Sequence, residues 1–186
     1  YFNLYVDYIY LDTDERRRFA QVSHEYLIEQ IQHYTTESTS TYALNFNHPV
    51  KELIWTGQWS EGNNKTLIDY PNNVNQTWLL TLNGHQRFSE RNITYFTKYQ
   101  ILQYHTGPGG LNVSSGSSTN SFNDSIAVYS FSLKPEEHQP SGTCNFSRIE
   151  NAQLSTKGND KIIEIYAVNY NILRIMSGMG GLAYSN

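Results

Sequence analysis

"SFSLKPEEHQPSGTCNFSRIE", residues 130–150, decides how the chain is to be read. It crowds Glu136, Glu137, His138, Ser141 and Cys144, all groups that a hydrolase uses, into one run that also carries Pro135 and Pro140. Cys144 lies six residues from His138, up to roughly 20 Å away in an extended chain, whereas a nucleophile and its base must approach to about 3 Å. Gln139-Pro140-Ser141-Gly142 has the residue order of a type I turn, proline second and glycine fourth. Side chains along one such turn rarely converge on a single substrate atom, because catalytic sets assemble from separate elements of a fold. The prolines fix φ and remove backbone donors. The run therefore reads as a stiff strap between two strands, and the chain as a building block.

The flanks of the strap agree with strands. Residues 2–11, "FNLYVDYIYL", set Phe2, Leu4, Val6, Tyr8 and Tyr10 against Asn3, Tyr5, Asp7, Ile9 and Leu11, the period of two of a strand. Further strands are predicted over 25–33, 42–46, 50–57, 76–83, 99–105, 126–133, 147–154, 161–168 and 170–176. Asp12 stands three residues before Glu15, with Arg16, Arg17 and Arg18 following, so a short capped helix is expected with acids first and bases last. Residues 60–75 and 106–125 are rich in Gly, Asn and Ser and read as long exposed loops. The tail, "NYNILRIMSGMGGLAYSN" (169–186), reads as a last strand with a docked terminus. Short strands divided by turn signals predict an all-β sandwich.

The bulk composition narrows the function. At 186 residues the chain fits one domain, 1–186. Fifteen Tyr, 8 Phe and 3 Trp favour strands. A net charge of -4 without a long basic block argues against direct contact with nucleic acid. One Cys makes no internal disulfide, which fits folding in a reducing, cytosolic compartment. No apolar run approaches the roughly 20 residues that span a bilayer. Tyr1 stands where an initiator Met would, so the chain is expected to begin inside a longer reading frame.

The remaining chemical candidates each have a plainer reading. His24, His33, His48, His85, His105 and His138 are scattered, with no zinc-motif spacing, so neither a metal nor a cofactor is expected. Asp12, Asp14 and Glu15 could pair as carboxylates or hold calcium, yet the arginines beside them and a capped turn explain the acids. Asn64, Asn75, Asn92, Asn112, Asn123 and Asn145 head N-x-S/T sequons, which become glycosylation sites only in a chain that enters a secretory lumen. Trp55, Trp59 and Trp78 would stack on sugars if exposed, although tryptophan on a strand is more often core.

Several blocks then carry a resemblance. "YVDYIYLDTDERRRFAQVSHEYLIEQIQ" (5–32), "HPVKELIW" (48–55), "LNGHQRFSERNITYF" (82–96), "YSFSLKPEEHQPSGTCNFSRIE" (129–150) and "YAVNYNILRIMSGMGGLAYSN" (166–186) resemble the C-terminal half of the major capsid proteins of nucleocytoplasmic large DNA viruses. That resemblance implies an eight-stranded jelly-roll β-sandwich with short helices in its connections, the second roll of a double jelly roll, with the N-terminal roll absent from this chain. It implies a homotrimer forming pseudo-hexagonal capsomers of an icosahedral shell, with minor capsid proteins and neighbouring capsomers as partners. The resemblance also implies an internal viral membrane nearby that the protein does not span. The implied location is the virion, after assembly in the host cytoplasm, and no enzymatic activity is implied. The signature loop comprises Pro135, Glu136, Glu137, His138, Gln139, Pro140, Ser141, Gly142, Thr143, Cys144, Asn145, Phe146, Ser147 and Arg148. Residues 107–125 look longer than the family pattern, Ser125 replaces a frequent Gly, and Glu150 a common Asp. The alternative function is a glycan-binding jelly-roll module that attaches to host glycans.

Overall fold

The computed structural model describes residues 2–35, 40–56, 76–107, 126–157 and 164–185. In chain order its strands are β1 (His24–Thr35), β2 (Thr41–Ala43), β3 (Pro49–Thr56), β4 (Thr77–Leu82), β5 (His85–Gln86) and β6 (Arg91–Asn92). β7 (Ile126–Ser130), β8 (Cys144–Asn145), β9 (Ala152–Lys157), β10 (Glu164–Met176) and β11 (Met179–Leu182) follow. Set aside the short β6, β8 and β11. The other eight pair first with last (β1 with β10), second with seventh (β2 with β9), third with sixth (β3 with β7) and fourth with fifth (β4 with β5). That is one long hairpin, and the bonds from β10 to β3 and from β9 to β4 roll it into two sheets, β1-β10-β3-β7 and β2-β9-β4-β5. The predicted eight-stranded jelly roll is what forms.

Local chemistry fixes the wiring. Asn83 and Gly84, at φ +50° and +79°, turn β4 into β5, and two successive positive φ values suit the right-handed twist of the flanking strands. Alternation along β3 and β10 sends Leu53, Trp55, Ile165 and Ala167 to one face, where they are fully buried. Trp78 and Leu80 of β4 and Leu154 of β9 belong to the same core. The Trp55 and Trp78 rings meet at 5.8 Å. These two tryptophans are therefore core, and they correct the sugar-stacking reading; Trp59 lies outside the described residues.

Two compact units divide the chain: Glu29–Tyr170, which holds this core, and Tyr1–Ile28 with Asn171–Asn186. In the second unit α1 (Thr13–Gln21) starts at Asp12, whose carboxylate accepts from the Glu15 N–H at 2.8 Å, as the acid pattern predicts. β11 folds back on the end of β10 through Ser177 and Gly178, both at positive φ, and Asn171 Nδ2 donates to the Tyr184 carbonyl at 2.9 Å. The tail docks as expected.

Four expectations need correction. Residues 2–11 join no sheet among the described residues, and Phe2, Tyr5 and Ile9 are exposed on both sides of the alternation; a strand pattern needs a neighbour, and none described supplies one. Residues 99–105 are helical: a π-helical turn, Tyr95–Tyr99, runs into α2 (Gln100–Tyr104). Buried Phe96, Thr97, Gln100 and Ile101 recur at a spacing of four, a helical face that dense aromatics disguise. The strand expected over 147–154 begins only at Ala152, because Phe146–Arg148 forms a 3-10 turn capped by Asn145. The strands expected at 161–168 and 170–176 are one strand, β10, interrupted by a bulge between Val168 and Asn169. Of the long loops, 60–75 and 108–125 lie outside the described residues.

Candidate functional site

β3 carries two adjacent charges, Lys51 and Glu52, and both are buried. A buried charge is tolerated only when paired and hydrogen-bonded; Glu29 of β1 and His105 supply the pairing, and the strap adds the Glu137 carbonyl to Lys51 and Glu136 to His105. The β10 bulge pairs Val50 with Asn169 and Glu52 with Val168, so Lys51 has no Cα partner on that strand. Its Nζ lies 2.8 Å from Glu29 Oε1 of β1, donates to the Glu137 carbonyl at 3.3 Å, and sits 5.2 Å over the Tyr170 ring. The Tyr170 hydroxyl donates to the His138 carbonyl at 3.2 Å, and His138 Nδ1 lies 3.3 Å from the same Glu29 oxygen.

Glu52 faces His105, which follows α2, with Nε2 3.0 Å from Oε2. The other ring nitrogen, Nδ1, lies 3.3 Å from Glu136 Oε1 on the strap. The Thr106 N–H and hydroxyl donate to the two Glu136 oxygens at 2.9 and 2.7 Å. The Glu52 contact pushes the His105 pKa above its ordinary value against an opposing effect of burial, and the charges of Glu52 and Glu136 act in the same sense. Hydrogen bonds from Thr106 lower the Glu136 pKa.

Within the strap the turn forms around Pro135. Glu137 N–H donates to the Lys134 carbonyl at 3.3 Å, so Lys134-Pro135-Glu136-Glu137 is the closed turn and the expected turn at Gln139-Pro140-Ser141-Gly142 is corrected. Both prolines satisfy the φ requirement of a turn, but Pro135 is the buried one. Ser141 then clips the strap's limbs together: its Oγ lies 2.6 Å from Ser132 Oγ and accepts from the Lys134 N–H at 2.9 Å. Gly142 has φ +133°, and a Cβ there would lie 3.0 Å from the Phe131 carbonyl oxygen. Gly142→Ala is expected to lower stability by about 1–3 kcal/mol, measurable as a shift in denaturant midpoint at unchanged slope.

The second half of the signature run is bonded to β3. Asn145 and Cys144, in β8, pair with Pro49 and Val50. Phe146 is buried against Phe46 and Phe131, and the His48 N–H donates to Ser147 Oγ at 2.8 Å. Gln139, Pro140, Thr143 and Arg148 are exposed. Cys144 is half-buried and burial pushes its thiol up, the reverse of what an attacking thiolate requires.

Two of the sequon asparagines are structural caps. Asn92 Oδ1 accepts from the Thr94 N–H and hydroxyl at 3.0 and 2.9 Å, and Asn145 Oδ1 from the Ser147 N–H at 3.1 Å. Asn64, Asn75, Asn112 and Asn123 lie outside the described residues. Replacing Asn145 with alanine is expected to cost about 1 kcal/mol, the scale of a lost cap, and peptide mass mapping is expected to find Asn92 and Asn145 unmodified.

The sequence reading missed Glu29, Lys51, Glu52, His105 and Tyr170. Lys-Glu inside the apolar "HPVKELIW" was the available signal, because charges within a buried strand oblige some other element to cover them.

Hydrogen bonds and ion pairs that hold strands together, around an aromatic core, define a structural jelly-roll module. The family model for the large eukaryotic DNA virus major capsid protein matches residues 15–181, and the chain belongs to that family. It is 52% identical over 199 residues to the major capsid protein of Pyramimonas orientalis virus, covering 98% of this chain and 48% of that protein. It is 39% identical to the major capsid protein of Paramecium bursaria Chlorella virus 1, covering 99% of this chain and 54% of that one. Among solved structures, a quasi-atomic model of the PBCV-1 virus capsid matches with a TM-score of 0.67 and 37% identity over 96% of this chain and 56% of that chain. PBCV-1 VP54, fitted into a reconstruction of the virophage Sputnik, matches with a TM-score of 0.71 and 35% identity, with the same coverage. The chain thus spans about half the length of these relatives. The family's members are structural capsid proteins, and it is not known to be enzymatic.

Proposed function

We propose that this chain is the C-terminal roll of a double jelly-roll major capsid protein, whose homotrimers form the pseudo-hexagonal capsomers of an icosahedral shell around a large double-stranded DNA virus. Neighbouring capsomers and minor capsid proteins are its further partners. The shell overlies an internal membrane that the protein does not span, and it assembles in the host cytoplasm.

The observation that carries this reading is where apolar surface remains uncovered. Phe2, Tyr5 and Ile9 in the N-terminal arm and Met176, Met179 and Tyr184 at the other end of the chain are all exposed, and they fall in the same compact unit. Large apolar side chains left exposed at this density mark an interaction surface. The arm also keeps the alternation of a strand and has no strand partner among the described residues, which suits pairing with the N-terminal roll that this reading posits. Shell proteins spread their binding energy over broad interfaces, and an aromatic-rich jelly roll with a strapped, inflexible sheet face suits that work.

Light scattering on the purified full-length protein tests the reading. A trimer mass at micromolar concentration is expected, and Tyr5→Asp with Ile9→Asp is expected to reduce the soluble yield severely. A monomer that tolerates both aspartates would overturn it.

A further inference from the structure

We propose that the strap is a proton-operated cover, held over β3 while His105 is doubly protonated and loosened at Glu136 when that proton leaves. The inference deepens the shell reading, on which it rests for its consequence, since the strap shields the buried charges of a subunit that must stay rigid.

The geometry at His105 carries it. Nε2 faces Glu52 of β3 at 3.0 Å, and Nδ1 faces Glu136 of the strap at 3.3 Å. A neutral imidazole has a hydrogen on one nitrogen and a lone pair on the other, so only the imidazolium turns a positive N–H edge to both carboxylates, in two ion pairs. Glu52 is buried in the sheet, whereas Glu136 keeps the two donors of Thr106. Loss of the proton therefore leaves the remaining N–H with Glu52 and turns a lone pair toward Glu136. The strap yields at the side where repulsion appears.

The other charged groups around the strap do not replace this contact. Lys134 pairs with Glu137 along the strap, while His138 and Lys51 share Glu29 of β1, with Tyr170 of β10 beneath Lys51. These hold the strap at Glu137 and His138, the residues that follow Glu136. The raised His105 pKa agrees in sign: its contribution is complete below the ordinary histidine value of 6.5 and is lost as pH rises through the raised folded value. Glu136, with its pKa lowered, contributes fully above the ordinary 4.5 and loses that contribution as pH falls through its folded value. The strap is therefore held best between those two ordinary values.

Hydrogen exchange of the full-length protein, followed by mass spectrometry on peptides spanning residues 133–142 from pH 5 to 9 and corrected for intrinsic exchange rates, reads the cover directly. Protection is expected to fall about tenfold in one alkaline step. His105→Gln is expected to flatten the profile. Glu136→Gln, an exposed substitution, is expected to flatten the step as well, because a neutral amide is not repelled by the imidazole lone pair and can donate to it. Protection in the unaltered protein that shows no alkaline step, or the same step in His105→Gln or in Glu136→Gln, would overturn the proposal. Mass measured by light scattering on the same samples separates the two claims: a monomer contradicts the shell reading, while the exchange profile decides the cover.

Discussion

Replacing Phe96 with alanine is expected to lower stability by about 3–5 kcal/mol, the range for truncating a fully buried aromatic residue. Phe96 has no exposed surface and its ring lies 5.2 Å from Trp55, 5.4 Å from Phe88 and 5.1 Å from Tyr95. It enters the core from the π-helical turn, so it is where the connection between β6 and β7 is fastened to the sandwich. The three neighbouring rings are large and themselves constrained, which limits how far the site can collapse into the vacated space. Phe96→Leu keeps most of the volume and is expected to lose less than half as much. Denaturant unfolding of the full-length protein checks both; equal losses for alanine and leucine would show that the effect comes from the turn and not from packing.

Lys51→Ala is expected to cost about 3 kcal/mol, the low end of the range for removing one partner of a buried ion pair. The low end applies because the Glu29 side chain is 34% exposed while that of Lys51 is 1% exposed, so water can compensate the acid once the ammonium is gone. The methylene stem of Lys51 is also lost, and the Glu137 carbonyl and Tyr170 ring lose the cation they face. Lys51→Met restores the packing without the charge and is expected to recover at least half of the loss. If Lys51→Met is no better than alanine, the charge and not the packing is what fastens the strap.

The strands expected over 50–57, 76–83 and 126–133 are β3, β4 and β7: β4 buries alternate residues, while β3 and β7 bury consecutive ones and show in the sequence as short runs rich in apolar residues between turn signals. Asp12 was legible too: an N-cap is a contact over three residues, and Glu15 supplies the N–H. The N-terminal arm shows the limit of that logic, since its pattern states that a strand is wanted but not where its partner is. Residues 99–105 mislead because tyrosine, isoleucine and leucine there satisfy either period over so short a run. Gln139-Pro140-Ser141-Gly142 has proline second and glycine fourth, yet the closed turn is Lys134-Pro135-Glu136-Glu137, which has no glycine and whose proline is the buried one. The charged cluster was least legible. Glu29 reaches Lys51, His105 reaches Glu52 and Glu136 reaches His105 only once the roll has closed, and which residues meet across a rolled hairpin is set by register, which local pattern does not carry. The signature loop's chemistry follows from this. Its histidine and acids look catalytic in a line of text, and in three dimensions they face the buried charges of β3 and their partners.

The most direct test of the central claim is a cryo-electron microscopy reconstruction of assembled particles containing the full-length protein. This roll is expected in every shell capsomer, three copies about each threefold axis, with residues 2–11 hydrogen-bonded as a strand in an adjoining sandwich. Particles whose shell lacks this roll, or a roll that stands alone with its arm unpaired, would contradict it.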